Sequence, residues 1–182
     1  TNTINFTGTV PFNIVNTNAD LATIDASGMS TGGDVVMEEN SRTNINAVNY
    51  IGTKGNDTFV FRHADDIMDG GEGNDILIGG GRKDSVYGEK GSDIVELNWG
   101  SFNHRNYDQG YGYDNGTIVI GTYDGGEGSD TLRIQADGWW GNGEGQRGEG
   151  YTIDLRDATI NNFERLEVGT AAILRLTGAQ YS

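Results

Sequence analysis

The sequence predicts an all-β chain wound as a parallel β-roll or β-solenoid, with glycine-rich nonapeptide loops and capping strands. Three observations predict it. A nine-residue period runs through residues 52 to 96 and returns at 125 to 133. Thirty glycines stand against a single proline, Pro11, a ratio that costs conformational entropy unless a tight turn recurs. Between the turns, apolar residues come in short pieces without the 3.6-residue recurrence of a helix.

In frame, residues 52 to 96 divide into GTKGNDTFV, FRHADDIMD, GGEGNDILI, GGGRKDSVY and GEKGSDIVE, with a sixth copy, GGEGSDTLR, at 125 to 133. The sixth position is always aspartate: Asp57, Asp66, Asp75, Asp84, Asp93 and Asp130. The eighth is always apolar: Phe59, Met68, Leu77, Val86, Val95 and Leu132. Each glycine-rich half turns the chain, and the following residues form a short strand whose eighth position points inward. Two repeats make one coil of about eighteen residues. Alternate loops then stack on one edge, with Asp57, Asp75 and Asp93 above one another and Asp66 and Asp84 on the opposite edge.

Stacking carboxylates at the roughly 4.8 Å spacing of neighbouring strands costs roughly 3 kcal/mol per pair at an effective dielectric of about 20. A cation must sit between them. Calcium, with bonds to oxygen of about 2.3 to 2.6 Å, spans two coils at that spacing better than Mg²⁺, which demands shorter bonds and a stricter octahedron. The loop glycines Gly52, Gly55, Gly70, Gly71, Gly73, Gly79, Gly80, Gly88, Gly91, Gly125, Gly126 and Gly128 are candidate carbonyl donors beside the six aspartates.

Residues 52 to 96 and 125 to 133 resemble the RTX repeats of bacterial proteins exported by type I secretion. The resemblance implies a parallel β-roll, Ca²⁺ held between successive loops, and folding delayed until the chain meets calcium outside the cell. Two copies depart from the pattern: residues 61 to 69 have no glycine before Asp66, and Arg82 stands where a glycine is expected. The Asp66 and Asp84 edge is therefore expected to bind weakly or not at all. The loops of Asp57 and Asp75, and those of Asp75 and Asp93, are expected to hold the best sites.

Three regions follow, expected to form one continuous domain. Residues 1 to 51 carry strand-like pieces at Ile4 to Phe6, Phe12 to Val15, Leu21 to Ile24, Val35 to Met37 and Ile45 to Tyr50, read as metal-free coils; LATIDASGM (21 to 29) resembles segments that precede RTX repeats in surface-layer and adhesin proteins. Residues 52 to 133 form the roll, interrupted by an insertion at 97 to 124 in which QGYGYD keeps the loop pattern and makes Asp114 a further candidate ligand. Residues 134 to 182 hold a second insertion and closing coils that cover the end of the roll, with Ile153, Leu155, Ile160, Phe163, Leu166, Val168, Ile173, Leu174 and Leu176 as core. Aromatic residues of the insertions, Trp99, Tyr111, Tyr113, Trp139 and Trp140, are candidate ligand-binding residues for a glycan, or a cover for the roll, or a contact with a neighbouring subunit.

Twelve basic against twenty-seven acidic residues give a net charge of −15, which opposes binding to nucleic acid or anionic membranes. With no cysteine there is neither a disulfide nor a thiolate metal site, and no apolar run is long enough to span a bilayer. Thr1 in place of an initiator Met suggests a segment of a longer chain. No nucleophile, acid and base constellation is legible, His63 and His104 read as surface residues, and no catalysis is expected. The function expected is a calcium-binding module of a secreted or cell-surface bacterial protein, adhesin-like or surface-layer-like. The alternatives are a carbohydrate-binding module and a folding or secretion module of an exported enzyme.

Overall fold

A computed structural model describes residues 2–15, 21–36, 47–60, 64–79, 83–97, 116–135, 151–169 and 172–181. Every pairing between its strands is parallel. One seven-stranded sheet contains β1 (Asn2–Gly8), β3 (Leu21–Met29), β5 (Asn49–Ile51), β7 (Ile67–Asp69), β9 (Lys83–Tyr87), β13 (Ile120–Asp124) and β17 (Ala158–Asn161), in that order. The other contains β2 (Phe12–Val15), β4 (Gly33–Val36), β6 (Thr58–Val60), β8 (Ile76–Gly79), β11 (Ile94–Leu97), β15 (Thr131–Ile134) and β18 (Arg165–Val168). The chain crosses from one sheet to the other in every coil, so sequence order and stacking order coincide. The two sheets are the walls of a parallel β-roll.

The core is built by register. Ile24, Tyr50, Met68, Val86, Tyr123 and Ile160 are aligned in the first sheet. Phe59, Leu77, Val95, Leu132 and Leu166 are aligned in the second. All six eighth-position residues are at most 3% exposed. Because strand side chains alternate between faces, one inward residue per short strand suffices, and the core is a thin double column.

The N-terminal coils belong to the same two sheets, with strands longer or shifted relative to the sequence reading: β1 runs over Asn2–Gly8, β3 to Met29, and β4 starts at Gly33. A third sheet is an addition that the repeat did not suggest. It contains β12 (Gly116–Ile118), β16 (Tyr151–Asp154) and β19 (Ala172–Arg175). The insertions therefore give the last coils a third side, and buried Val119, Ile153 and Leu155 extend the core into it.

The expectation that Leu166 and Val168 belong to the core is corrected. Leu166 and Val168 are 45% and 43% exposed, although they lie in register with buried Leu132 and Ile134. They sit on β18, the last strand of its sheet among the described residues, where β15 is its paired neighbour. On the outer face, Glu96, Arg133 and Glu167 stand in register on β11, β15 and β18, and Arg133 pairs with both carboxylates, at 3.5 and 2.8 Å.

Candidate metal column

The sixth-position aspartates stand just before the strands, except Asp84, which lies within β9, and all are buried, none more than 3% exposed. One column contains Asp57, Asp75, Asp93 and Asp130. The Asp57 N–H donates to Asp75 Oδ1 (2.8 Å), the Asp75 N–H to Asp93 Oδ1 (2.8 Å), and the Asp93 N–H to Asp130 Oδ1 (2.7 Å). The first two links span 18 residues and the third spans 37, so Asp130 joins the column across the insertion. On the other edge Val48 N–H donates to Asp66 Oδ1 (2.8 Å) and Asp66 N–H to Asp84 Oδ1 (3.0 Å). That column stops at Asp84, because the residue in register with it on β13 is Gly121.

Each link satisfies a backbone donor that the turn would otherwise leave unpaired inside the roll. Asparagine side chains one position earlier do the same in the opposite direction: Asn74 N–H donates to Asn56 Oδ1 (2.9 Å), and Ser92 N–H to Asn74 Oδ1 (2.8 Å). The sequence reading missed this second ladder. Its signal was the run of mostly short polar residues at the fifth position, Asn56, Asp65, Asn74, Ser92 and Ser129.

One carboxylate oxygen is thus used by the fold, and the second is what matters for a metal. Oδ2 of Asp75, Asp93 and Asp130 is buried with no hydrogen-bond partner. Burial raises the Asp75 carboxyl to about 8, with the carboxylates of Asp57, Asp93 and Asp69 adding to it against the Asp57 N–H, which lowers it. Asp93 is pushed up to about 6, first by burial and then by Asp130. Burial also raises Asp130, with Glu164 and Asp124 contributing. Carboxyl groups raised in this way are costly to ionise where they stand, and a cation placed between them would offset that cost.

The glycines complete the cradle. A Cβ at Gly88 would collide with the Gly125 carbonyl and lie 2.6 Å from Asp93 Oδ2, and one at Gly70 would meet Asp75 Oδ2 and lie 2.8 Å from the Gly88 carbonyl. A carboxylate oxygen and the carbonyl of the next coil therefore converge in the space left by each missing side chain. Gly71 and Gly126 have φ of 92° and 93°, in the left-handed region that favours glycine. Among the described residues, no three acidic or histidine side chains converge on one point, so an ion here takes carboxylates from adjacent coils and backbone carbonyls for the rest. That mixed all-oxygen set suits Ca²⁺.

Asp57 differs from the other three. Its Oδ2 accepts the Thr53 N–H (2.7 Å), and its Oδ1 accepts the Gly33 N–H (2.6 Å) and the Thr53 hydroxyl (3.1 Å). Thr53 stands at the second position, where other copies have glycine, Arg62 or Glu89; its hydrogen bonds favour the ionised Asp57 carboxylate, but burial outweighs them and the carboxyl is still raised. Of the remaining candidates, Gly52 and Gly55 stack under Gly70 and Gly73, Gly91 and Gly128 continue the second of these columns, and Gly79 lies at the end of β8 with room for a Cβ 3.0 Å from Asp84 Oδ2. Gly80, Asp114, Trp99, Tyr111, Tyr113, Trp139 and Trp140 lie outside the described residues.

Residues 69–101 match the profile of the RTX calcium-binding nonapeptide repeat, 4 copies. Neither the curated proteins nor the solved structures give a match. Nonapeptide spacing, buried carboxylate columns and family profile agree: the chain carries RTX calcium-binding repeats wound as a parallel β-roll, and Ca²⁺ is the ion they bind.

Proposed function

We propose that the chain is a calcium-folded β-roll module of a secreted or cell-surface bacterial protein, adhesin-like or surface-layer-like, whose role is to become rigid outside the cell and which carries no catalysis of its own. The observation that carries the reading is the row of buried, unpartnered Oδ2 atoms on Asp75, Asp93 and Asp130. The same row that holds coils together around cations drives them apart without cations. Where calcium is scarce, repulsion and desolvation keep the chain expanded; where calcium is abundant, ions that bind only the folded state stabilise it by mass action. The occurrence of such repeats in exported proteins supports the extracellular setting, and among the described residues no helix is long and apolar enough to cross a membrane. The ions are held by Asp75, Asp93 and Asp130 with carbonyls of the glycine columns, and the column of Asp66 and Asp84 contributes less.

Far-ultraviolet circular dichroism tests the reading. Protein in excess chelator should give a disordered spectrum and recover β signal as calcium is added. A β spectrum that persists unchanged in chelator would contradict it.

A further inference from the structure

The hydrogen-bonded column does not end at the last nonapeptide. Asp130 N–H donates to Glu164 Oε2 at 2.7 Å, as Asp93 N–H donates to Asp130 Oδ1. Glu164 lies in a turn with no glycine, between β17 and β18. Along this last step Asp124 pairs with Asn161, 37 positions on, whereas Thr131 pairs with Arg165, only 34 on. The turn has therefore contracted by three residues relative to the nonapeptide loop beneath it. Two features compensate. Asn162 adopts φ 55°, tightening the turn in the left-handed region that asparagine tolerates, and glutamate supplies one more methylene than aspartate to reach the same N–H.

The next-coil carbonyl is also retained. A Cβ at Gly125 would meet the Asn162 carbonyl and lie 2.6 Å from Asp130 Cβ and 3.0 Å from Cγ, so the Asp130 side chain and a next-coil carbonyl flank this glycine as at Gly70 and Gly88, where the nearest carboxylate atom is Oδ2. Asp130 is 0% exposed, and its Oδ2 is buried there without a partner. Asn162 Nδ2 donates to Asp124 Oδ1 at 2.7 Å and pins the turn over the loop. Asp124 and Asn162 also line a groove of about 290 Å³, walled by Glu89, Glu127 and Lys90, where three carboxylates against one ammonium leave a net negative approach for a cation from solvent.

We propose that the calcium column runs one site past the last repeat, to a Ca²⁺ held between the Gly125 to Asp130 loop and the contracted turn, with Asp130 Oδ2, the Asn162 carbonyl and the Glu164 carboxylate as ligands. The site rests on the calcium reading above, and the turn that builds it lies outside the matched repeats.

Calorimetric titration of the 182-residue chain with Ca²⁺ alone tests it, comparing wild type, Glu164→Gln and Asp93→Asn. Glu164→Gln keeps an oxygen for the Asp130 N–H and removes only charge, so the fold in saturating calcium should be retained, which circular dichroism checks. It should bind one ion fewer, or bind one ion at least about ten-fold more weakly. An isotherm identical to wild type overturns the site. If Asp93→Asn loses an ion while Glu164→Gln loses none, only this inference fails; if neither variant changes the isotherm, the calcium column itself fails with it.

Discussion

Replacing Asp93 by Asn separates the two jobs of a column carboxylate. The amide oxygen still accepts the Asp75 N–H, which Asp93 Oδ1 accepts at 2.8 Å. The amide nitrogen takes the place of Oδ2, beside the Gly125 carbonyl, and turns an acceptor facing an acceptor into a donor facing one. In the metal-free wild type, burial lifts Asp93 from 3.8 to about 6. Keeping it ionised in that fold at neutral pH therefore costs roughly 3 kcal/mol. The substitution removes this cost, so without calcium the variant should be the more stable by about 2 to 3 kcal/mol. With saturating calcium the order reverses, because a charged ligand has been lost. Osmolyte-induced folding in chelator, followed by circular dichroism, reads the first effect: the variant should reach the β spectrum at a lower trimethylamine oxide concentration than wild type. Urea unfolding in excess calcium reads the second. A variant less stable than wild type in both conditions would refute the argument and leave Asp93 a packing residue.

Three further outcomes are expected. In calcium-depleted buffer, stability should fall as pH rises from about 4 through 8, because Asp75 and Asp93 have folded-state values raised to about 8 and about 6 and the fold holds more protons than the unfolded chain. Asp154, lowered to about 2 chiefly by its hydrogen bonds from Arg156, acts the opposite way: its contribution is present above its unfolded value of 3.8 and is lost only as pH falls through about 2. A circular-dichroism pH series that is flat or rising between about pH 5 and 8 would contradict this balance. Gly88→Ala should cost about 2 to 3 kcal/mol in calcium, since its Cβ meets the Gly125 carbonyl and Asp93 Oδ2, whereas Gly178→Ala, with nothing within 4 Å, should be near neutral; equal melting shifts would contradict the cradle. Thr53→Ala should cost about 1 kcal/mol equally at low and high saturating calcium, because the bonds it removes, to Asp57 and the Gly55 carbonyl, involve no ion.

Much of the fold was legible because a solenoid repeats its contacts at the period of its sequence. The inward eighth position and the buried sixth position each recur every nine residues, so Phe59 to Val95 and Asp57 to Asp93 could be assigned before any coordinates. What escaped was whatever broke the period. β12 lies within the first insertion and β16 follows the second, and no nine-residue frame reaches them, so the third wall was invisible. Glu164 was hidden twice, by a turn three residues short and by a longer side chain that offsets the shortening. Leu166 and Val168 have the pattern of core residues, and their exposure follows from β18 being the last strand of its sheet among the described residues, which strand chemistry does not encode. Thr53 read as an imperfect glycine position, yet its N–H and its hydroxyl both donate to the buried Asp57 carboxylate.

These exceptions define how the column behaves as a unit. Each coil touches only its neighbours, so the energy of the roll is a sum of coil and interface contributions. Within each interface one aspartate oxygen serves the backbone and the other serves the ion, and only the second depends on calcium. Asparagine could do the first job and glutamate in an uncontracted turn would overshoot it, so aspartate recurs because both jobs fall to one short side chain. The ends then differ in kind. At the Asp57 end both carboxylate oxygens accept hydrogen bonds, from Thr53 and Gly33, so neither is left without a partner. At the Glu164 end a carboxylate is retained, and under the proposed terminal site the dependence on calcium is retained with it. Folding should accordingly be most sensitive to calcium toward the C-terminal coils, and proteolysis at limiting calcium should nick the segment after Asp93 before the segment preceding Asp57. Cleavage in the reverse order would mean that these hydrogen bonds do not lessen the dependence on calcium at the Asp57 end.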